Sequence, residues 1–395
     1  MFAVTGSSGS DLLGKPKERI HLTPDENDRI GFLRVFLVFM LVLVHFGSPY
    51  GDDLSVKAGY AGQDHAFAAI VISFLNFLGY TAVPALSVIS GYLFFMGADR
   101  DTPPAFRVKM LRRVRSLVLP FLIWSGAFVL LGYVLFRFGG GYDTTFAPAD
   151  GNLLRSLGDA WLGIEGYPLA IQLWFVRDLV LTVAISPVIW FLVGRAPILT
   201  LSALFVLWLS GYTLFIFTKL DVVGFFSLGA AFAMHGWRRD LPRRFAAPLL
   251  VVFLGLVLAR TVLPYLLGID PESHALYIAT CLMRVVGLVA IWTAAPLLMI
   301  APARRLVSGF GSLPFFIHCA HYPPIFLIKT AAGKLIAPES SAAHLFLYVG
   351  TVALTLIATV AAARLIWMLS PGLFSLLSGG RAQIAPAIYA PRVPA

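Results

Sequence analysis

Arg34 and His45 stand at the two ends of ten consecutive apolar residues. In an α-helix, eleven steps of about 100° bring His45 back to within roughly 20° of Arg34, about 16 Å further along the axis. An imidazole can give or take a proton, or attack as a nucleophile, near neutral pH, and a guanidinium holds an anion. Arg34 alone would read equally well as a side chain that snorkels to the headgroups, and His45 alone as an interfacial histidine. Placed together on one face of an apolar rod, they favour chemistry over anchorage. An arginine deep in a bilayer costs roughly 2.5 kcal/mol or more, so a purely structural helix gains nothing from it.

Other polar groups interrupt apolar runs. Trp174-Phe175-Val176-Arg177-Asp178 places two opposite charges side by side. Neighbouring residues diverge on a helix, so Arg177 and Asp178 are expected to find separate partners, either as interhelical ion pairs or in a site where Asp178 orients a histidine. Arg260 lies close enough to a span end to snorkel, whereas Arg284 is deeper and suits a cavity that meets an anionic group. His318 and His321 share a helix face, but a metal would need further ligands that the sequence does not supply, and no metal is expected. Pro323 and Pro324 follow at once and free backbone carbonyls that a neighbour must satisfy. Arg112, Arg113 and Arg115 read either as a charge anchor or as a grip on phosphates.

The elements that carry these residues are membrane helices. The 395 residues are 58% hydrophobic and 13% charged, with a net charge of +10 and a mean hydropathy of +0.83. These values fall outside the soluble range. The basic residues cluster at the ends of apolar runs, as topology signals do, so nucleic-acid binding is not expected. Two cysteines, Cys281 and Cys319, each sit in an apolar run, which excludes a disulfide framework. No cleavable signal peptide is evident.

The hydropathy pattern predicts an all-α polytopic membrane protein with about ten spans. A polar tail covers 1–29, the membrane domain 30–370 and a second tail 371–395. The spans fall near 30–47, 67–96, 117–138, 168–193, 198–217, 222–235, 247–267, 275–300, 311–329 and 344–369. A kink is expected in the second, which holds Pro84. Arg107, Lys109, Arg112, Arg113, Arg115, Arg195, Arg238 to Arg244, Arg304, Arg305, Arg381 and Arg392 then share one side, which the positive-inside rule makes cytoplasmic, with both termini. Loops with Asp52, Asp53, Asp143, Asp159, Glu165 and Glu272 face outward. Arg34 lies near the cytoplasmic end of the first span and His45 near the outer end.

In these residues the chain resembles the acyltransferase-3 superfamily of membrane acyltransferases, which includes sugar and polysaccharide O-acetylases and glucan succinyltransferases. Arg34 and His45 resemble its defining signature. The segment from Val83 through Ser90-Gly91-Tyr92 to Leu93 is similar to its second-span element, and Arg112 to Arg115, followed by Pro120, to its Arg-x-x-Arg element. Leu173-Trp174-Phe175 and His321-Tyr322-Pro323 look like two further landmarks, in order. One departure is that family members often carry an acidic residue just before the arginine, whereas here 30–33 hold none and Asp28 is further back. The resemblance implies acyl-CoA, most often acetyl-CoA and in some members succinyl-CoA, as a cytoplasmic donor. It implies a glycan or lipid-linked sugar as acceptor, and the inner membrane of a bacterium as location. Arg112, Arg113 and Arg115 would hold the CoA phosphates, Arg34 would stabilise the donor, and His45 would act as general base or acyl carrier. Trp174, Arg177, Asp178, Arg284 and His321 are candidates for substrate contact or support.

Two other readings use the same residues. A transporter or flippase for a small anion or lipid-linked sugar would line its path with the charges on spans one, four, seven and eight, but no repeated halves are visible. A non-catalytic membrane component of a polysaccharide machine would leave His45 dispensable.

Overall fold

The computed structural model describes residues 22–47, 58–139, 141–214, 216–301, 310–311 and 313–380. Asp52, Asp53, Arg304, Arg305, Arg381 and Arg392 lie outside the described residues. Among the described residues every regular element is a helix.

Helix α1, Pro24–His45, is unbroken. It starts ahead of Ile30, inside the stretch expected as tail, because Thr23 and Glu26 form a capping box. The Glu26 N–H donates to the Thr23 hydroxyl at 3.2 Å and the Thr23 N–H to the Glu26 carboxylate at 3.0 Å. Two faces of α1 then enter two separate clusters. Ile30, Leu33, Leu37 and Leu41 pack with residues such as Phe95, Val176 and Phe226, and Val38, Val42 and Phe46 pack with Phe316, Leu347 and Tyr348. The helix that carries Arg34 and His45 is therefore the seam between the two larger of the core clusters.

The second span is broken into α2, Ala66–Gly79, and α3, Ala82–Phe95. The break comes one turn before Pro84, at Tyr80 and Thr81. Pro84 has no N–H to give the Tyr80 carbonyl and its ring crowds it. That carbonyl accepts instead from Arg284 Nε at 3.0 Å. Next come α4, Phe106–Arg113, a π turn over Val114–Val118, and α5, Leu119–Arg137. In the π turn the Leu119 N–H reaches back to the Val114 carbonyl, and Pro120, which cannot donate, follows directly.

The long loop expected at 139–167 contains two short helices, α6, Asp143–Phe146, and α7, Leu153–Leu162. Helix α7 lies on α5, where Trp161 Nε1 donates to the Leu122 carbonyl at 2.9 Å. Helices α8, Trp174–Ala184, and α9, Ser186–Arg195, meet at a 66° bend just before Pro187. Four helices follow: α10, Pro197–Leu209; α11, Leu220–His235; α12, Ala246–Leu266; and α13, His274–Leu298. Helices α3 and α11 cross backbone to backbone. A Cβ on Gly91 would lie 2.0 Å from the Phe226 carbonyl oxygen, and one on Gly229 would lie 2.2 Å from that of Val88.

The expected ninth span is also broken, into α14, Pro314–Ala320, and α15, Tyr322–Ile336. Pro323 frees the Cys319 carbonyl, and Gln172 Nε2 donates to it at 2.9 Å. Helix α16, Ser341–Leu369, is the longest. Beyond it, where the sequence reads as tail, Ser370 caps a further helix, α17, Pro371–Leu377. It is pinned to α5 by Trp124 Nε1, which donates to the Leu377 carbonyl at 3.1 Å.

Each of the ten expected segments is helical among the described residues, but not all are long enough to cross alone. Among the described residues five helical stretches meet the length and hydropathy of a span, Ala66–Phe95 (α2 with α3), Phe106–Arg137 (α4 with α5), Arg243–Leu266, His274–Leu298 and Ser341–Leu369, and six do if the bent α8–α9 pair counts as one. The shortfall has physical causes. Helices α10 and α11 are apolar but short, prolines break the α14–α15 pair, and Asp28, Arg29 and Arg34 interrupt the apolar stretch of α1.

Candidate functional site

His45 sits at the last position of α1, and its surroundings fix its tautomer. Its Nδ1 lies 2.7 Å from the Leu41 carbonyl, one turn back. A carbonyl only accepts, so Nδ1 carries the proton and Nε2 presents its lone pair. The end of α1 is held in turn by Lys329, whose ammonium donates to the Phe46 carbonyl at 3.0 Å. It is also held by Gly79 of α2, where a Cβ would lie 2.4 Å from a Val44 methyl.

The α14–α15 break delivers the groups that face His45. The His321 ring lies 4.8 Å from that of His45, edge to face, and the Tyr322 ring 6.0 Å away. His321 repeats the same lock, with Nδ1 2.9 Å from the Ile317 carbonyl. The His318 ring lies 6.0 Å beyond His321. Among the described residues no group of three histidine, cysteine or carboxylate side chains gathers as a metal would require.

Arg34 lies on the same face of the unbroken α1. It is exposed although Leu33 and Val35 on either side are buried. The charge that acts on it is that of Arg113 at the end of α4. Arg112 and Arg115 are exposed beside Arg113. Among the described residues no carboxylate pairs with Arg34, Arg112, Arg113 or Arg115. Two like charges that converge without a counter-ion are costly unless an anion joins them. The first helix therefore presents a cationic end and an imidazole end.

The remaining candidates go elsewhere. Arg177 and Asp178 do not diverge as expected: the long arginine curls back, and its Nη1 donates to Asp178 Oδ1 at 2.7 Å and to the Thr218 hydroxyl at 2.8 Å. Asp178 also accepts from the Thr218 N–H at 3.2 Å and the Lys219 N–H at 2.9 Å. It thus fixes the start of α11 and does not orient His45. Arg284 meets an anionic group inside the protein, the buried carboxylate of Asp221. Arg260 donates from Nε to the Thr280 hydroxyl at 2.7 Å and lies over the Phe77 ring. Trp174 is half-buried, with Tyr167 6.3 Å away and the Lys219 ammonium 5.2 Å from its ring centre.

Sequence reasoning missed Asp221, Lys219 and Gln172. Asp221 opens the apolar run of α11, and Gln172 precedes α8 as a lone amide. An intramembrane search for amides and span-edge carboxylates would have found both. The first two turns of α1 also hold charges with definite partners, since Glu26 pairs with Arg239, and Arg29 with Asp240.

The sequence pattern of a family described as an acyltransferase domain matches residues 27–368. The chain is 31% identical over 360 residues to the Succinoglycan biosynthesis protein ExoH of Rhizobium meliloti (strain 1021), an alignment that covers 89% of this chain and 92% of that one. No solved structure matches. The matched stretch takes in Arg34, His45, Arg112 to Arg115, Trp174 and His321, and with it the chain belongs to the acyltransferase-3 family of membrane acyltransferases.

Proposed function

We propose that this protein is a bacterial inner-membrane O-acyltransferase that moves an acetyl or succinyl group from acyl-CoA to a hydroxyl of a polysaccharide or its lipid-linked precursor. The observation that carries the reading is the first helix. Arg34 stands at one end, near enough to Arg113 for the two charges to act on each other, and among the described residues no carboxylate is ion-paired to either. A tautomer-locked His45 Nε2 stands at the other end of the helix. The name of the ExoH relative, which concerns succinoglycan biosynthesis, supports a polysaccharide as acceptor.

The donor's phosphates would lie against Arg112, Arg113 and Arg115, with both chain termini on the cytoplasmic side. Guanidinium forks suit phosphate oxygens better than ammonium groups do. Arg34 would stabilise the donor further in. At the far end, His45 Nε2 accepts the proton of the acceptor hydroxyl as that oxygen attacks the thioester carbonyl carbon. The carbon–sulfur bond breaks, and the proton on His45 passes to the departing thiolate. Attack by His45 itself, followed by transfer to the hydroxyl, uses the same lone pair. The transporter reading is less favoured, because two of the charges it would use, on the fourth and eighth spans, are ion-paired within the protein, Arg177 with Asp178 and Arg284 with Asp221.

The test uses the purified full chain in nanodiscs with carbon-labelled acetyl-CoA or succinyl-CoA and an envelope glycan extract. The expected result is label in glycan matched by an equal amount of released thiol. Counterflow of glycan or anion without thiol release would overturn the assignment.

A further inference from the structure

We propose that Trp174, Tyr167 and Lys219 form a docking subsite for an acidic sugar residue of the acceptor, remote from the reacting hydroxyl. The proposal rests on the acyltransferase reading and names the substrate class for it. The three side chains come from separate segments: Trp174 opens α8, Tyr167 lies on the loop before it, and Lys219 caps α11. Tyr167 is 45% exposed, the Lys219 side chain is exposed and Trp174 is half-buried, so the group is open to a ligand.

The subsite is built rather than incidental. Asp178, one turn into α8 from Trp174, accepts the backbone N–H groups of Thr218 and Lys219 and so locks the lysine's segment to the tryptophan's helix. The Tyr167 loop is tied down by the Leu169 N–H, which donates to the Ala160 carbonyl at 2.7 Å. Arg177 Nε donates to the Leu162 carbonyl at 3.0 Å and fixes the end of α7 beneath that loop. Supporting bonds of this kind hold a recognition group in one geometry.

Charge balance gives the ligand's sign. Asp178 is matched by Arg177, and Asp221 by Arg284. Among the described residues no carboxylate forms an ion pair with the Lys219 ammonium, whose contact is the Trp174 ring. The carboxylates whose charge reaches Lys219, Asp221 and Asp178, are each already ion-paired to an arginine, so the cluster keeps one net positive charge beside an indole face. That suits a ring that is apolar on one face and carries a carboxylate at its edge, the character of a uronic acid or another acidic sugar.

A line of ring contacts links the subsite to His45. Trp174 meets Phe175 at 6.4 Å, Phe175 meets His318 at 6.0 Å, His318 meets His321 at 6.0 Å, and His321 meets His45 at 4.8 Å. The subsite and the imidazole thus lie at the two ends of one packed row of rings, and an acceptor of more than one sugar unit would engage both. Binding energy gathered there would orient the hydroxyl at His45.

The test measures equilibrium binding of tetragalacturonate and of neutral cellotetraose to the full chain in nanodiscs, without acyl-CoA. Wild type is expected to bind tetragalacturonate saturably, at least tenfold tighter than cellotetraose, with an affinity that falls as salt rises. Trp174→Ala and Lys219→Gln, each checked for an unchanged melting temperature, should each weaken tetragalacturonate at least tenfold. A wild type that does not bind it, equal binding of the two sugars, or wild-type affinity in Lys219→Gln would overturn the proposal. If Trp174→Ala unfolds, Trp174→Phe, which keeps a ring but a smaller face, takes its place with an intermediate loss expected. Because no turnover is involved, failure here is distinct from failure of acyl transfer.

Discussion

His45 donates its Nδ1–H hydrogen bond to a neutral carbonyl rather than to a carboxylate, and this shapes the base it can be. The Leu41 carbonyl fixes the tautomer as well as an aspartate would but adds no negative charge to stabilise an imidazolium. The charged form should therefore be brief, which suits a proton that moves straight on to a leaving thiolate. Arg34 is the other side chain whose detail decides its role. Lysine in its place keeps the charge and loses the planar fork. The loss of one charge-assisted hydrogen bond, about 1.5–3 kcal/mol, raises the donor KM roughly ten- to hundredfold. A KM unchanged in Arg34→Lys, measured with acyl-CoA as the varied substrate, would make Arg34 a mere anchor. At this scale the sequence was informative where spacing sufficed: Arg34, His45 and the His318–His321 pair could be read directly. The pairing of Arg177 with Asp178 could not, because the helix rule describes where Cβ atoms point and not how far a long arginine curls back.

The elements owe their shape to prolines whose missing N–H groups leave carbonyls for neighbours to satisfy. Pro84 leaves Tyr80 to Arg284, and Pro323 leaves Cys319 to Gln172. Each break thus creates a contact between helices as well as a bend, and the second one turns His321 toward His45. The prolines were visible in the sequence. Their partners were not, since nothing in a linear pattern says which helix lies alongside. Asp221 belongs to the first of these arrangements. Asp221→Asn leaves the half-buried Arg284 charge unmatched and is expected to destabilise by about 3 kcal/mol, read as a fall in melting temperature. Asp221→Leu with Arg284→Met should recover most of this but not all, because the Tyr80 carbonyl stays unpaired. The α3–α11 crossing allows a sharper contrast. Gly229→Ala forces a methyl onto the Val88 carbonyl and is expected to cost about 3 kcal/mol or prevent folding. Gly224→Ala, on the same helix with nothing within 4 Å of the new methyl, should be neutral or slightly stabilising. Equal melting temperatures for the two variants would mean that α3 and α11 do not cross there.

At the scale of the whole molecule, the first helix is a seam between two core clusters, with guanidinium groups at one end and the His45 imidazole at the other. The basic residues of α4 and of the α11–α12 connection gather at the first end, and the α6–α7 region and the start of α11 lie at the second. That all-helical plan followed from hydropathy alone. The number of full crossings did not, because short or proline-broken helices such as α10, α11 and the α14–α15 pair share the hydropathy of true spans. Sidedness can be read directly, since both native cysteines are buried. An impermeant maleimide on intact spheroplasts is expected to label Asp150→Cys but not Asp101→Cys, and to label both after lysis. The reverse pattern would put the basic end outside. The central claim concerns His45, and it is tested most directly by His45→Ala in nanodiscs, with melting temperature and acyl-CoA binding checked against wild type. The expected result is intact folding and donor binding, with transfer of label to glycan lost. A correctly folded His45→Ala protein that transfers acyl groups at the wild-type rate would contradict the account.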